Sequence, residues 1–208
     1  VDGAGTVQAG GFCSMALDTA GKAHISYRDS TRNELKYATN AGRGWANVTL
    51  DDRVNVSFTT SIAVDANDKV YISYYATALG NLKCAIFNGA TWSYQTVDNS
   101  TNDVGRYSSI ALERIDRDTY RPHISYYDAT NGDLKYAFQT GSSWTLESIY
   151  TSGSDAGKYN SLALDLDGNG QPQDRHDTVA RSDLAGDDGG GDRGRLPDPR
   201  LFCGIHAR

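Results

Sequence analysis

The chain has 208 residues, a net charge of −6, 38% hydrophobic residues and 13 tyrosines. Phosphate binding needs clustered Lys and Arg, which an acidic chain of this composition does not offer, so nucleic acid is excluded as a partner class. No apolar run reaches membrane-spanning length, so a membrane is not expected as a partner either.

Residues 1–9 contain Val1-Asp2, which resembles the Val97-Asp98 that closes a later segment, and read as the end of a preceding unit. With no initiator Met and no leader pattern, the chain is expected to start at an internal point of a longer protein. A unit then spans 10–56, with Ser14-Met15-Ala16-Leu17-Asp18, His24-Ile25-Ser26-Tyr27, Leu35-Lys36-Tyr37-Ala38 and Trp45. It returns over 57–104 as Ser61-Ile62-Ala63-Val64-Asp65, Tyr71-Ile72-Ser73-Tyr74, Leu82-Lys83-Cys84-Ala85 and Trp92. It returns again over 105–156 as Ser109-Ile110-Ala111-Leu112-Glu113, His123-Ile124-Ser125-Tyr126, Leu134-Lys135-Tyr136-Ala137 and Trp144. The tryptophans stand 47 and 52 residues apart. A period in this range marks an array whose units cannot bury their apolar faces alone, so neighbours must stack.

In the third unit four short runs, 109–112, 123–127, 134–138 and 144–149, alternate large apolar with smaller or polar residues, which predicts strands and no helix. Asn131-Gly132 predicts a tight turn between antiparallel strands. The extra residues between Glu113 and His123 belong in a hairpin tip, where added length costs little entropy. The predicted fold is therefore all-β: a fragment of a β-propeller built from four-stranded antiparallel blades, about three complete and others partial. A parallel β-helix is the runner-up, but its coils are about half this length.

A fourth unit opens over 157–172 with Gly157-Lys158-Tyr159 and Ser161-Leu162-Ala163-Leu164-Asp165, and then the pattern stops. Residues 173–208 contain no Lys, Glu, Tyr or Trp and are rich in Asp, Arg and Gly. Such composition cannot offset the entropy of ordering, and a disordered tail is expected, either natural or the product of a GC-rich reading frame slipped by one base. Three blades and a start are fewer than the roughly 4–8 of a closed ring. The piece is expected to aggregate, to self-associate and so cover its open blade faces, or to be marginally stable.

Among candidate functional residues, His24 and His123 recur at one repeat position, with Tyr71 between them, which favours an architectural role over that of a general base. Lys36, Lys83 and Lys135 also recur and are expected to pair with Asp29 and Asp128 across the hairpin, Ala76 replacing the acid in the second unit. Trp45, Trp92 and Trp144, with Tyr75 and Tyr127 of the doubled tyrosines, could form sugar-stacking platforms, against the plainer expectation of inter-blade core. Asp165, Asp167 and Asn169 match the opening of a calcium loop, although Gln173 and His176 depart from its later positions. No cofactor is expected, calcium being the one ion this loop would suit. Cys84 stands where Tyr37 and Tyr136 stand and should be a small core filler, and with Cys13 and Cys203 unmatched the redox compartment stays open.

His123-Ile124-Ser125-Tyr126-Tyr127-Asp128, followed by Leu134-Lys135-Tyr136-Ala137 and Trp144, resembles the blade repeats of bacterial secreted propeller-like proteins, loosely similar to sialidase-type and lectin-type propellers. The resemblance spans about residues 1–172. Gly141-Ser142-Ser143-Trp144 matches only the end of a sialidase Asp-box, with Thr140 and Phe138 where its acid and serine would fall, so that catalysis is not implied. What the resemblance implies is a non-catalytic extracellular or periplasmic binding or scaffold propeller, with carbohydrate as the ligand class. The propeller portion of a glycan-processing enzyme and a protein-interaction scaffold are the alternatives. A shared fold does not carry a shared function.

Overall fold

The computed structural model describes residues 9–52, 55–151, 155–164 and 202–203. They form strands and turns, with no helix long and apolar enough to cross a membrane. Strands β1 (Ala9–Leu17), β2 (Ala23–Asp29), β3 (Glu34–Thr39) and β4 (Ala46–Asp51) make one antiparallel meander. Strands β5 (Val56–Val64), β6 (Val70–Ala76), β7 (Asn81–Phe87) and β8 (Trp92–Asp98) make a second, and β9 (Val104–Arg114), β10 (Tyr120–Asp128), β11 (Asp133–Thr140) and β12 (Ser143–Tyr150) a third. Beyond them β13 (Leu162–Ala163) pairs with β14 (Phe202–Cys203). The chain is an open, all-β propeller fragment, with the insertion after Glu113 in the turn between β9 and β10.

One register serves all three sheets. Tyr27 lies opposite Lys36, Tyr74 opposite Lys83 and Tyr126 opposite Lys135. Strand β6 is buried along its whole length, as a strand sandwiched between two other layers must be. Leu35 and Tyr37 of the first sheet pack on Ile62, Ile72 and Tyr74 of the second. Leu82 and Cys84 of the second pack on Ile110, Ile124 and Tyr126 of the third. The second unit fills its core by exchange: the aromatic moves from the third strand to the second, as Tyr71, and Cys84 takes the smaller space. Full burial pushes that thiol up to about 12, which makes it inert.

Polar groups stitch each seam. The first-strand serines accept backbone bonds from the next sheet: Ser14 Oγ from Ile62 (3.2 Å), Ser61 Oγ from Ile110 (3.2 Å) and Ser109 Oγ from Leu162 (3.0 Å). The second-strand serines bond side chain to side chain, Ser26 with Thr60 (3.1 Å), Ser73 with Ser108 (2.9 Å) and Ser125 with Asn160 (2.5 Å). Where the first strand meets the preceding hairpin the backbones come close enough to require glycine. A Cβ on Gly105 would stand 2.8 Å from the Leu82 Cα, and one on Gly157 2.8 Å from the Leu134 Cα.

The lysines do not take the hairpin partners expected of them. Lys83 does not pair across its own hairpin but reaches Asp51 of the preceding sheet (Nζ to Oδ2, 2.9 Å), and Lys135 reaches Asp98 (2.6 Å). The same carboxylate oxygens accept from Tyr74 (2.8 Å) and Tyr126 (2.8 Å). Asp128 instead accepts from the Thr130 and Asn131 amides at 3.0 and 3.1 Å, and Asp29 caps Thr31 and Arg32 in the same way. A buried carboxylate gains more from a lysine and a phenol that are themselves removed from water than a solvated hairpin pair could supply.

At the face of the first sheet that looks away from the second, Met15 (62% exposed), Leu17 (56%) and Trp45 (47%) lie open. Their counterparts Ile62, Val64 and Trp92 are packed against the first sheet, and Ile110, Leu112 and Trp144 against the second.

Asp98 is fully buried, and burial alone would push its carboxyl up, but bonds from Lys135, Ser100 and Tyr126 hold it below the ordinary aspartate range. Because the folded pKa is depressed, this stabilisation is complete above the unfolded pKa of about 3.9 and is lost as pH falls through the folded value. Asp98→Asn leaves Lys135 without its counter-charge and should cost about 3–5 kcal/mol at pH 7. In urea melts the gap between wild type and variant should close in acid; a gap unchanged below pH 4 would contradict the assignment.

Candidate functional site

Three units open with the same distortion. Gly10, Gly105 and Gly157 have φ of 98°, 110° and 102°, and two residues later Phe12, Tyr107 and Tyr159 have φ of 52°, 55° and 54°. Bulky residues avoid this left-handed region, so each aromatic ring is held at a cost in backbone strain. The pairing register shifts at the same place, between Gly11 and Ser14 and between Ser125 and Tyr127. A bulge of this kind re-aims the side chains of the strand that carries it. The second unit differs, with Thr59 at the aromatic position.

Around these bulges the seams carry matching clusters. At the second seam the Tyr75 hydroxyl donates to Asp103 Oδ1 (2.5 Å), Arg106 pairs with the same carboxylate, and its guanidinium lies 5.5 Å over the Tyr75 ring. At the third seam the Tyr127 hydroxyl donates to Asp155, which also accepts from Lys158, and the ammonium lies 5.4 Å over the Tyr127 ring. Tyr107, next along the chain from Arg106, packs against the third-seam cluster, its ring centroid 6.1 Å from Tyr127 and 4.5 Å from Tyr159. Tyr75 and Tyr127 are buried beneath, whereas Tyr159 is 64% exposed.

Hydrogen bonds from Lys158 and then Tyr127 hold Asp155 below the ordinary carboxylate range. Burial, then the bond to Asp155, pushes the Tyr127 phenol up, and burial with the neighbouring Tyr159 does the same for Tyr107. At neutral pH the phenols are therefore uncharged, and each carboxylate faces one cation. The cluster has no net charge, donors and acceptors at its edge, and flat apolar ring faces. That set suits a neutral polyhydroxylated ligand: hydroxyls exchange bonds with carboxylate and cation while C–H groups cover a ring.

Of the residues singled out in the sequence, Tyr75 and Tyr127 lie in these clusters. His24 and His123 do not; they lie on the second strands four residues, or roughly 13 Å, before Arg28 and Tyr127. His24 is buried, with Nδ1 2.5 Å from the Tyr37 hydroxyl and Nε2 3.3 Å from Asp18 Oδ2. His123 bonds the Tyr136 hydroxyl through Nδ1, and its Nε2 stands 2.9 Å from Glu113 Oε2. Burial holds the His123 imidazole below its ordinary pKa despite Glu113 beside it. Tyr71 donates to Asp65 (3.3 Å) at the matching place. Trp92 packs edge-on against Tyr37 at 5.0 Å, Trp144 Nε1 donates to Gln95 Oε1 (2.9 Å), and Trp45 is exposed on the outer face. Asp165, Asp167 and Asn169 lie outside the described residues; among the described residues no group of three or more His, Cys, Asp or Glu is placed to hold a metal.

Arg106, Tyr107, Lys158 and Tyr159 read in the sequence only as parts of unit openings, and neither they nor Asp103 and Asp155 were among the candidate functional residues. Their trace in it is the recurrence of Asp-x-Gly-Arg/Lys-Tyr at 103–107 and 155–159.

No protein-family model matches the chain, and no curated protein matches it in sequence. Among solved structures it is similar to a fucose lectin from Kordia zhangzhouensis in complex with methyl-fucoside, at 14% identity and a TM-score of 0.50, covering 67% of this chain and 99% of that one. It is also similar to SapL1 lectin in complex with alpha methyl fucoside, at 9% identity, a TM-score of 0.55 and coverage of 72% and 52%. A third is the GH93 alpha-L-arabinofuranosidase of Fusarium graminearum with arabinobiose, at 11% identity, a TM-score of 0.52 and coverage of 74% and 52%. At these identities the likeness is one of fold, and the chain spans about half the length of the second and third.

Tyr159→Gly removes an exposed ring and relieves a left-handed backbone. Thermal melts should show stability unchanged or raised by about 1 kcal/mol. A loss of that size would mean the ring is there for packing.

Proposed function

We propose that this chain belongs to a non-catalytic, extracellular or periplasmic binding propeller whose ligand class is carbohydrate, its blades spanning 10–56, 57–104 and 105–156. The observation that carries this is the charge-balanced tyrosine, carboxylate and cation cluster at the second and third seams, with strained aromatics at its mouth. The two fucose lectins and the arabinofuranosidase of similar fold, named with their sugars, support the ligand class. Protein strain that recurs at one position beside convergent polar groups marks a binding surface better than a packing device. Repetition along the array adds avidity for ligands that present several sugars. Tyr75 and Tyr127 act here as the floor of each site, holding the carboxylate in place from below. His24, His123, Trp92 and Trp144 serve the seams themselves.

The test is a titration of the protein with neutral methyl glycosides, fucoside and arabinoside among them, followed by amide and ring NMR shifts. Shifts should centre on Tyr107 and Tyr159. Tyr107→Ala should weaken binding about tenfold, since an aromatic face is worth about 0.5–1.5 kcal/mol and 1.4 kcal/mol is a factor of ten. Sugar turnover would move the assignment to the enzyme alternative. Absence of any glycoside shift, with a protein partner recovered at the same end of the seams, would move it to the scaffold alternative.

A further inference from the structure

The first seam breaks the pattern of the other two. Where they carry Tyr75 and Tyr127 the second strand has Arg28, and where they carry Asp103 and Asp155 the chain has Asn55. The acid has become an amide and the neutral phenol a guanidinium, so the local charge changes from zero to positive. Arg28 Nη2 donates to the Asn33 side-chain oxygen, and Arg28 Nε, like Arg106 Nε at the second seam, is buried with no hydrogen-bond partner among the described residues; what sets Arg28 apart is that Arg106 is paired with a carboxylate, Asp103, and Arg28 is not. Asn33 is fixed in turn, because its carbonyl accepts from the Val56 amide (2.7 Å), and the Asn55 carbonyl accepts from Thr77 (2.9 Å). The nearest acid along the strand, Asp29, is committed elsewhere: its carboxylate takes the Thr31 and Arg32 amides and the Arg32 guanidinium. Opposite Arg28 on the neighbouring strand stands Gly11, where the third sheet has Arg106 opposite Tyr127. A glycine there puts no side chain of its own strand beside the guanidinium. Phe12, 54% exposed beside it, supplies the apolar ring.

A buried guanidinium nitrogen without an acceptor is costly, and a cation in that environment calls for an anion. We infer that the first seam is an acidic-sugar site, in which the carboxylate of a uronic acid bonds Arg28 in the role that Asp103 and Asp155 play for their own seams. A carboxylate matches the guanidinium fork, and the pyranose ring behind it meets Phe12 as neutral sugars meet Tyr107 and Tyr159. This rests on the carbohydrate assignment and gives the array two ligand classes, neutral at the second and third seams and anionic at the first.

The probes are methyl glucuronide and methyl glucoside, titrated by NMR and calorimetry into wild type, Arg28→Gln and Asn55→Asp. Wild type should bind the glucuronide at least tenfold tighter than the glucoside at the first seam, and Arg28→Gln should erase that difference. Asn55→Asp supplies the acid that the other seams have, so it should abolish glucuronide binding while leaving the thermal melt intact. Equal affinity for the two glycosides, or glucuronide binding indifferent to both substitutions, would overturn the inference. In that case neutral glycosides would still shift Tyr107 and Tyr159, whereas failure of the carbohydrate assignment itself would leave every glycoside silent at every seam.

Discussion

The fold depends on one buried arrangement: a carboxylate at the end of the outermost strand of one sheet, Asp51 or Asp98, received by a tyrosine and a lysine of the next. Stacked sheets held by apolar contact alone could slide, since the hydrophobic effect is non-directional. A carboxylate buried between layers removes that freedom, because any slip strands a charge in a place of low dielectric. The two lines of hydroxyls from the first and second strands repeat the constraint at intervals across the seam. Sequence economy follows: Ser, Tyr, Lys and Asp recur in each unit because each names one contact with a neighbour.

A seam locked in this way can hold strained groups at its end. Tyr107 and Tyr159 keep left-handed backbones because the adjoining Gly105 and Gly157 press against the preceding hairpin; Phe12 has the same backbone beside Gly10, which meets no such neighbour. The rigid interior thus supplies geometry, while the loops and bulges at the rim supply chemistry, and each seam can change its chemistry by a few substitutions without disturbing the lock. Arg28 with Asn55 at the first seam and Tyr127 with Asp155 at the third occupy one scaffold position with different electrostatic character.

The exchange between Tyr37 and Cys84 shows the same independence inside the core. The aromatic volume lost from β7 is returned by Tyr71 on β6, and its hydroxyl reaches Asp65 where His24 and His123 reach Asp18 and Glu113. An imidazole that a phenol can replace is held for its hydrogen bonds and its bulk.

The all-β class, the four-strand unit and the hairpin insertion were legible in the sequence, because a two-residue alternation and a period near fifty are local properties that each strand and turn expresses by itself. So was the core role of Cys84, from its place among tyrosines. The partners of the lysines were not: Lys135 stands close in sequence to Asp128, but its carboxylate is Asp98, 37 residues earlier, and only stacking one sheet on another brings that pair together. The site was half visible. Tyr75 and Tyr127 stood out as doubled tyrosines, whereas Asp103, Arg106 and Tyr107 join them only because a bulge turns the start of one sheet over the end of its neighbour. Periodicity determined what each unit is, and tertiary contact decided which residues of different units meet, since the long-range pairings depend on a stacking geometry that no single unit encodes.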